Sequence, residues 1–542
     1  MADKFMKSIT FVEGGDAYYP LPKVTNADDG KVLKVVNGEW SLNYLIPNLP
    51  SYLSFIGNED FTLKTYNTTK NWDGTLEYST DKSTWNTWNG TEISSAGSKL
   101  YLRGTGNTKI TDSSSDYRFV FTRTSALKIA CEGNIENLLD YETVSAGGHP
   151  TMADYCYYYM FQGCTALTTA PELPATTLTD GCYSRMFLGC TSLTSAPALP
   201  ATTLTQSCYS NMFRGCTSLA TAPALPATTL ADWCYIEMFH GCTSLTSAPA
   251  LPATTLAEAC YQCMFQGCTS LTSAPALPAT TLTQSCYNQM FRDCTSLTTA
   301  PALPAIKLAD SCYYQMFQGC TSLAIAPELP ATTLAGYCYD SMFYNCTALT
   351  TAPELPATTL TRGCYQSMFR GCTSLTSAPE LPATTLANNC YLYMFYGCTS
   401  LTTAPALPAT TLDVGCYMSM FNRCTSLVTA PSVLPATTLA GQCYQFMFEF
   451  TSINAIPRIM ATTYATDSCK GMFDDIKTLN VYSASGTDHT YGWTAPSSAS
   501  TYCSGMFGSD DGESEWAKLD GSNFPNSGTP TDGTTYYFKT VA

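Results

Sequence analysis

The stretch CYSNMFRGCTSLATAPALPATTL, from Cys208 to Leu230, decides the fold because close copies of it recur along the chain. Twelve units share the pattern C-Y-x-x-M-F, and the first eleven add a second cysteine eight positions after the first. The period is 26 residues, with one extra residue before the last unit. The first cysteines are Cys156, Cys182, Cys208, Cys234, Cys260, Cys286, Cys312, Cys338, Cys364, Cys390, Cys416 and Cys443. Because one unit cannot bury its own apolar face, the repetition indicates units that stack on one another.

The first part of each unit has the spacing of a short helix. Cys208, Met212 and Cys216 are four residues apart, as on one side of a helix, and Tyr209 and Phe213 form a neighbouring stripe. The sequence therefore predicts a short helix at the start of every unit, with these side chains facing the interior.

The second part of each unit is predicted to be extended. Gly215 suits the left-handed position that ends a helix. Leu219 and Leu225 are the apolar anchors of the segment that follows, and its two prolines allow only a short strand. With neighbours at a strand spacing of about 4.8 Å, twelve coils form a rod about 60 Å long. Ladders of cysteine, methionine, phenylalanine and leucine would run along its interior.

The 27 cysteines follow the repeat and do not have the spacing of a metal site. Structural zinc sites commonly use pairs two to four residues apart, whereas these pairs are eight apart. Cys260 and Cys263 form the one C-x-x-C, and Cys263 stands at a variable position, which favours a chance surface thiol. Stacked cysteines can come within bridging distance, so disulfides remain an alternative. An unbroken column gives no natural pairing, and we favour free thiols packed as small apolar groups.

Composition argues against several partners. The 542 residues are 45% hydrophobic with a net charge of −16, and lysine and arginine are scattered singly, so no track of cations could neutralise phosphates. We therefore expect no nucleic-acid binding. No run of about 18 apolar residues is present, so we expect no membrane insertion either. The N-terminus lacks the apolar core of a secretory signal, which suggests either a removed signal or a protein kept without export by that route.

No catalytic constellation is apparent. His149, His240 and His489 lie far apart, and nucleophile-elbow, phosphate-loop and H-E-x-x-H motifs are missing from the sequence. One repeat position carries glutamate in four units, Glu172, Glu328, Glu354 and Glu380. We interpret it as a solvated acidic strip. We expect no enzymatic activity, no cofactor and no metal.

Variation between units marks the outer surface. The variable positions lie between the tyrosine and methionine, after the phenylalanine and before the first cysteine. Large side chains there give a face able to stack on sugars or dock on protein. Random sequence drift at solvent-exposed positions would give the same variation between units. The candidate ligand-facing residues are Trp233, His240, Tyr337, Tyr344, Tyr393 and Tyr396. Thr176 and Thr177 begin a regular threonine column, which a crystal-binding surface would also require.

The flanking regions differ from the repeats. KVLKVVNGEW (residues 31–40) predicts a hairpin at Asn37-Gly38. Residues 56–125 read as a small β domain with strands FTLKTY, TLEYST, KLYLRG and YRFVFT. LKIACEGNIENLLDY begins as a strand and is predicted to cap the stack. Cys469 and Cys503 start degenerate units, and TTYYFKTVA is a possible last strand.

The repeat resembles the BspA-type leucine-rich repeats, through a segment ending in F-x-G-C-T-S-L-T and the extended segment after it. The resemblance covers about Ser125 to Phe507. Such repeats occur in surface proteins of gut and oral bacteria and in their phages. The resemblance implies a leucine-rich-repeat-like solenoid with a short helix and a short strand in each coil, preceded by a small all-β region.

A second resemblance concerns the N-terminus. VTNADDGKVLKVVNGEW looks like the N-terminal segments of tailed-phage fibre and capsid-decoration proteins, where such a segment anchors the fibre. The predicted organisation is an anchor-like segment at 1–55, the β domain at 56–125, the solenoid at 126–507 and a C-terminal tail at 508–542.

These resemblances imply a non-enzymatic virion protein, a head or tail fibre or decoration protein assembled in the host cytoplasm. Its expected partners are virion proteins through the N-terminal segment and a host surface protein or glycan through the repeats. A homotrimer is expected by analogy with other fibres. The alternative is a BspA-like adhesin on a bacterial cell surface.

Overall fold

The computed structural model describes residues 52–113, 117–121, 126–454 and 457–473. Residue 458 is described by its backbone alone, as are the strands at 31–36, 39–44, 493–494, 506–509, 517–519 and 535–538. Most of the predicted anchor segment, His489 and the unit predicted at Cys503 lie outside the described residues.

The described part of the region before the repeats is rich in strands and carries one helix, α1 (Asn137–Ser145). Its strands are β1 (Lys31–Val36), β2 (Glu39–Tyr44), β3 (Leu53–Gly57), β4 (Thr62–Thr65), β5 (Thr75–Ser79), β6 (Asn86–Trp88), β7 (Ile93–Ser94), β8 (Lys99–Thr105), β9 (Phe119–Phe121) and β10 (Ile129–Glu132). β1 and β2 pair antiparallel with Val36 opposite Glu39, so the predicted hairpin is confirmed.

The predicted strands of the β domain are confirmed as β4, β5, β8 and β9. They form two sheets, with strand orders β11-β10-β3-β8-β5-β6 and β7-β4-β9, where β11 (Leu167–Thr169) belongs to the first repeat unit. Sequence reasoning missed β3, which begins just before the predicted domain boundary at residue 56, and the short strands β6 and β7. Trp72 stacks on Trp88 at 5.2 Å between the sheets.

Short strands also occur late in the chain. They are β12 (Val433–Leu434), β13 (Arg458–Ile459), β14 (Trp493–Thr494), β15 (Met506–Ser509), β16 (Ala517–Leu519) and β17 (Thr535–Phe538). β12 and β13 pair parallel, and the last four form a sheet in the order β14-β17-β15-β16. The predicted final strand is confirmed as β17.

The predicted helix at the start of each unit is wrong. In the unit that begins at Cys208, left-handed backbone recurs at every fourth residue, with φ of 54° at Ser207, 56° at Asn211 and 72° at Gly215. A helix has no left-handed residues, so the segment is instead a series of overlapping four-residue turns. The same three positions are left-handed in most other units, including those where tyrosine, tryptophan or arginine occupies them. The four-residue spacing of Cys208, Met212 and Cys216 therefore comes from these turns.

Hydrogen bonds between units explain why turns replace the helix. Every second N–H group donates to the next unit, as from Tyr209 to the Cys234 carbonyl (3.0 Å) and from Phe213 to the Met238 carbonyl (2.9 Å). The N–H groups between them close the turns, as from Met212 to the Tyr209 carbonyl (3.2 Å). Every backbone N–H group from Ser207 to Cys216 therefore has a partner, and half of these bonds tie neighbouring units together. Left-handed residues cost about 1 kcal/mol each, which these bonds and the packing offset.

The interior consists of columns of like side chains. Tyrosine rings of successive units stack at 5.4 to 5.9 Å between centroids from Tyr157 to Tyr444. Phenylalanine rings stack at 5.5 to 5.8 Å from Phe161 to Phe473. The predicted anchors Leu219 and Leu225 are buried. Stacking of like on like is thus confirmed, and Phe473 extends it into the unit that begins at Cys469.

The 26 cysteines of the described residues are buried and free. The thiol of the second cysteine in each unit donates to the carbonyl of the phenylalanine one unit earlier, as from Cys242 Sγ to Phe213 O at 3.1 Å. The same contact recurs at 3.0 to 3.2 Å from Cys190 to Cys424, and Cys164 of the first unit donates instead to the Phe119 carbonyl of β9 at 3.3 Å. The thiols therefore fill space and also bond buried carbonyls across the stack.

The proline-bearing segments are held by single-residue pairings, as the prolines predict. Thr169 pairs parallel with Ser195, and Thr203 pairs parallel with Thr229. These pairings recur along the stack 25 or 26 residues apart. The extended part of each unit thus adds two short ladders to the ladder of the turns.

The β domain and β10 cap the first unit, which confirms the predicted cap. β10 pairs antiparallel with β3 and parallel with β11. The N–H groups of Ile110 and Phe119 donate to the carbonyls of Cys156 (2.9 Å) and Met160 (2.7 Å). In the later units, the carbonyls at these two positions accept hydrogen bonds from the preceding unit. Phe119 also meets the ring of Phe161 at 5.8 Å, so the ring column continues into the β domain.

Candidate binding face of the repeats

The variable side chains lie on the surface formed by the turns, which we call the turn face. It comprises four positions of each unit, namely the residue just before the first cysteine and the second, third and sixth residues after it. Most of its side chains are half-buried because they stack on their equivalents in neighbouring units. Trp233 is the most exposed of the predicted residues, at 36%, while His240 and the four candidate tyrosines are half-buried.

Three of the six predicted residues meet around one arginine. The Arg370 guanidinium lies 5.4 Å from the ring of Tyr344, 5.1 Å from Tyr393 and 4.6 Å from Tyr396. Tyr393 and Tyr396 are also packed edge to face at 5.7 Å. We call these four residues the distal cluster. Sequence reasoning missed Arg370, although it occupies the same column as Tyr344 and Tyr396, one unit from each.

A second group of this kind lies at the start of the stack. Arg185 Nη1 donates to the hydroxyls of Tyr158 and, at 2.8 Å, Tyr159. Tyr155 packs edge to face on Tyr158 at 5.5 Å. We call these four residues the proximal cluster. None of the residues predicted from the sequence belongs to it, and the signal that could have found it is the run of adjacent tyrosines one unit before an arginine.

The remaining predicted residues stand apart from both clusters. Tyr337 lies beneath the Arg362 guanidinium at 5.6 Å. Trp233 and His240 share a unit four repeats earlier than the one that holds Tyr337 and Tyr344. His240 Nδ1 is 3.7 Å from Glu237, which pairs with Arg214 of the preceding unit. Burial lowers the pKa of His240, and Arg214 lowers it further, so this histidine favours the neutral form.

The prediction that Cys263 is a surface thiol is wrong. Its side chain is 7% exposed, because the turn places the third position after Cys260 between neighbouring units. Burial raises the pKa of the Cys263 thiol to about 12. Burial and the raised pKa both disfavour the exposed thiolate that a reactive C-x-x-C pair requires.

One carboxyl group on the turn face is buried. Asp340 is 4% exposed, and its Oδ1 accepts a hydrogen bond from Ser341 Oγ at 2.7 Å. Burial raises the pKa of Asp340 to about 6, so this carboxyl stays protonated to a higher pH than an exposed aspartate and carries its charge at a cost above that pH.

Asp340→Asn is expected to stabilise the protein at pH 7 by about 2 kcal/mol. The folded-state pKa lies above the ordinary value near 3.8, so the ionised carboxyl lowers stability once the pH rises through about 4 to 6. The gain should be present at pH 7 and vanish near pH 4, as measured by urea unfolding at both values. Asp232→Asn, at an exposed position, should give no gain. A gain for Asp340→Asn that is equal at the two pH values would contradict the assignment.

The described residues hold neither a cluster of metal ligands nor a membrane-spanning helix. Among them, no group of three or more histidine, cysteine, aspartate or glutamate side chains is placed to hold a metal ion. Across the same part of the chain, no helix has the length and apolarity needed to cross a bilayer.

The repeats match a known family. The sequence model of the BspA type leucine-rich repeat region matches over residues 234–350, 309–428 and 336–469, in six copies altogether. Residues 234–469 are BspA-type leucine-rich repeats. The units before Cys234 share this sequence pattern and continue the same ring columns. A comparison with curated proteins gave no match.

Proposed function

We propose that this chain is a non-enzymatic recognition protein whose stack of BspA-type repeats forms a solenoid and presents the turn face to a host surface protein or glycan. BspA-type repeats imply a surface or adhesion-type repeat protein. The observation that carries the proposal is the distal cluster, in which one arginine and three tyrosines meet on a partly exposed face. Tyrosine and arginine are the side chains most enriched at binding hot spots, because they combine apolar area with hydrogen-bonding groups.

The interior supports a structural role. Its side chains are rings, methionines, leucines and thiols, packed in contact with their equivalents. Burial raises the pKa of these thiols, for example to about 12 in Cys216 and Cys268, which disfavours the thiolate that nucleophilic or metal-binding chemistry requires. We therefore propose no catalytic role for the cysteines.

For the setting, we propose display on a virion that is assembled in a host cytoplasm, with a bacterial cell-surface adhesin as the alternative. The 26 buried free thiols support folding in a reducing compartment, since oxidising compartments promote disulfides between cysteines before they are buried. Electron microscopy of the native source with an antibody against the chain separates the two. Labelling of virions supports the first setting, and labelling of cell envelopes alone contradicts it.

Substitutions in the distal cluster test the binding face. Arg370→Gln and Tyr396→Ala should each weaken binding of the purified chain to host cells by about tenfold or more, as is usual for hot-spot residues. Arg292→Gln is the matched control, because Arg292 lies in the same column but bonds to Gln289 and Gln315 in place of tyrosine rings. Surface plasmon resonance or a cell-binding assay measures the effect. Binding equal to the parent in both cluster variants would refute the proposed face.

A further inference from the structure

A groove lies where the β domain meets the first repeat unit. Its volume is about 770 Å³, within the range of ligand-binding pockets. Strands β4 and β9 form one wall, and residues 162–166 of the first unit form the other. The groove is separate from both tyrosine clusters.

The groove gathers positive charge in a strongly acidic chain. Among the described residues, Lys64, Arg118 and Lys128 line it together with one acid, Glu92. Lys64 Nζ lies 3.8 Å from Glu92, and both side chains are partly exposed. Three cations against one carboxylate leave a net positive site on a protein of charge −16. An anionic ligand, repelled by most of the surface, is attracted here.

An aromatic platform and an unsatisfied amide accompany the charges. Tyr66 lines the groove with its side chain 52% exposed, and the Arg118 guanidinium lies 3.8 Å from the centre of its ring. Gln162 also lines the groove, and its amide oxygen is buried with no hydrogen-bond partner among the described residues. A buried amide oxygen without a donor is costly, so a ligand that offers a hydroxyl group would be favoured here.

We propose that this groove binds a saccharide that carries a carboxylate group. Arg118 and Lys64 recognise the carboxylate, since the planar guanidinium matches a carboxylate through paired hydrogen bonds. The exposed ring of Tyr66 packs against the apolar face of the sugar, and Gln162 accepts a bond from a sugar hydroxyl. The groove is thus a second recognition site, which shares only Gln162 with the turn face.

The test is calorimetric titration of the full chain with a galacturonic acid trisaccharide, and with a neutral galactose trisaccharide as the control probe. We expect binding of the acidic probe that weakens as salt rises from 20 to 150 mM, and much weaker binding of the neutral one. Arg118→Gln and Tyr66→Ala should each weaken binding of the acidic probe by about tenfold, which corresponds to the loss of one good contact. Lys99→Gln, which removes an exposed cation elsewhere in the β domain, should change binding by less than about twofold.

Two further variants serve as controls, one for misfolding and one for binding at the turn face. Lys64→Gln is a second charge variant in case Arg118→Gln fails to fold, which thermal unfolding would reveal. Arg370→Gln should leave binding of the acidic probe unchanged, so failure of this site and failure of the turn face are distinguishable. No binding of the acidic probe at millimolar concentration, equal binding of the neutral probe, or full affinity in folded Arg118→Gln and Lys64→Gln would each overturn the proposal.

Discussion

Phe265→Ala is expected to destabilise the protein by about 3 to 5 kcal/mol. Phe265 is fully buried and stacks on Phe239 and Phe291 at 5.7 Å on either side. Truncation removes the ring and leaves a cavity, because the neighbouring rings are held by hydrogen-bonded backbone and cannot close the gap. Urea and thermal unfolding followed by circular dichroism measure the loss.

The adjacent residue supplies a matched control. Gln266 is half-buried on the turn face, so Gln266→Ala should change the free energy of unfolding by less than about 1 kcal/mol. Similar losses for the two substitutions would show that the ring column is not the main source of stability in this part of the stack.

Gly104→Ala is expected to destabilise the β domain by about 3 kcal/mol or more. A Cβ atom at Gly104 would lie 1.8 Å from the carbonyl oxygen of Leu138 in helix α1. That oxygen is fixed, since it accepts a hydrogen bond from Asn107 Nδ2 at 2.9 Å. Either β8 or α1 must move, which disturbs the cap on the first repeat unit. Thermal unfolding and limited proteolysis measure the effect.

Gly106 separates this clash from the general cost of losing a glycine. It has a φ of +63°, and a Cβ atom there would meet nothing within 4 Å. Gly106→Ala should therefore cost only about 1 kcal/mol, from the left-handed backbone. If Gly104→Ala is no more destabilising than Gly106→Ala, the close approach of β8 to α1 is not present in solution.

Much of the interior was predictable because identical residues recur at a fixed period. The period predicts that Tyr209, Phe213 and Leu219 meet their equivalents, and the structure stacks the two rings on their equivalents and buries Leu219. The conformation of the turns was not predictable from the spacing alone. Cys208, Met212 and Cys216 are placed equally well by a helix and by turns of four residues. Hydrogen bonds to the next unit decide between these conformations, and the periodicity of one unit carries no information on them.

The site was predictable in part for a similar reason. Variation between units marked Tyr344, Tyr393 and Tyr396 as outward-facing, but it did not predict that these side chains converge. Their convergence depends on Arg370, which lies one unit away and joins them only when the units stack in register. The groove beside β9 depends on contacts between the β domain and the first unit, and these distant segments share no pattern in the sequence.

Thiol reactivity tests most directly whether successive units close around a dry interior. An aromatic disulfide reagent should label all 27 cysteines in urea, but fewer than three per chain in the native state under reducing-agent-free conditions, because the 26 described thiols are buried. Rapid labelling of many thiols in the intact protein, at rates near those of the unfolded chain, would contradict the stacked structure.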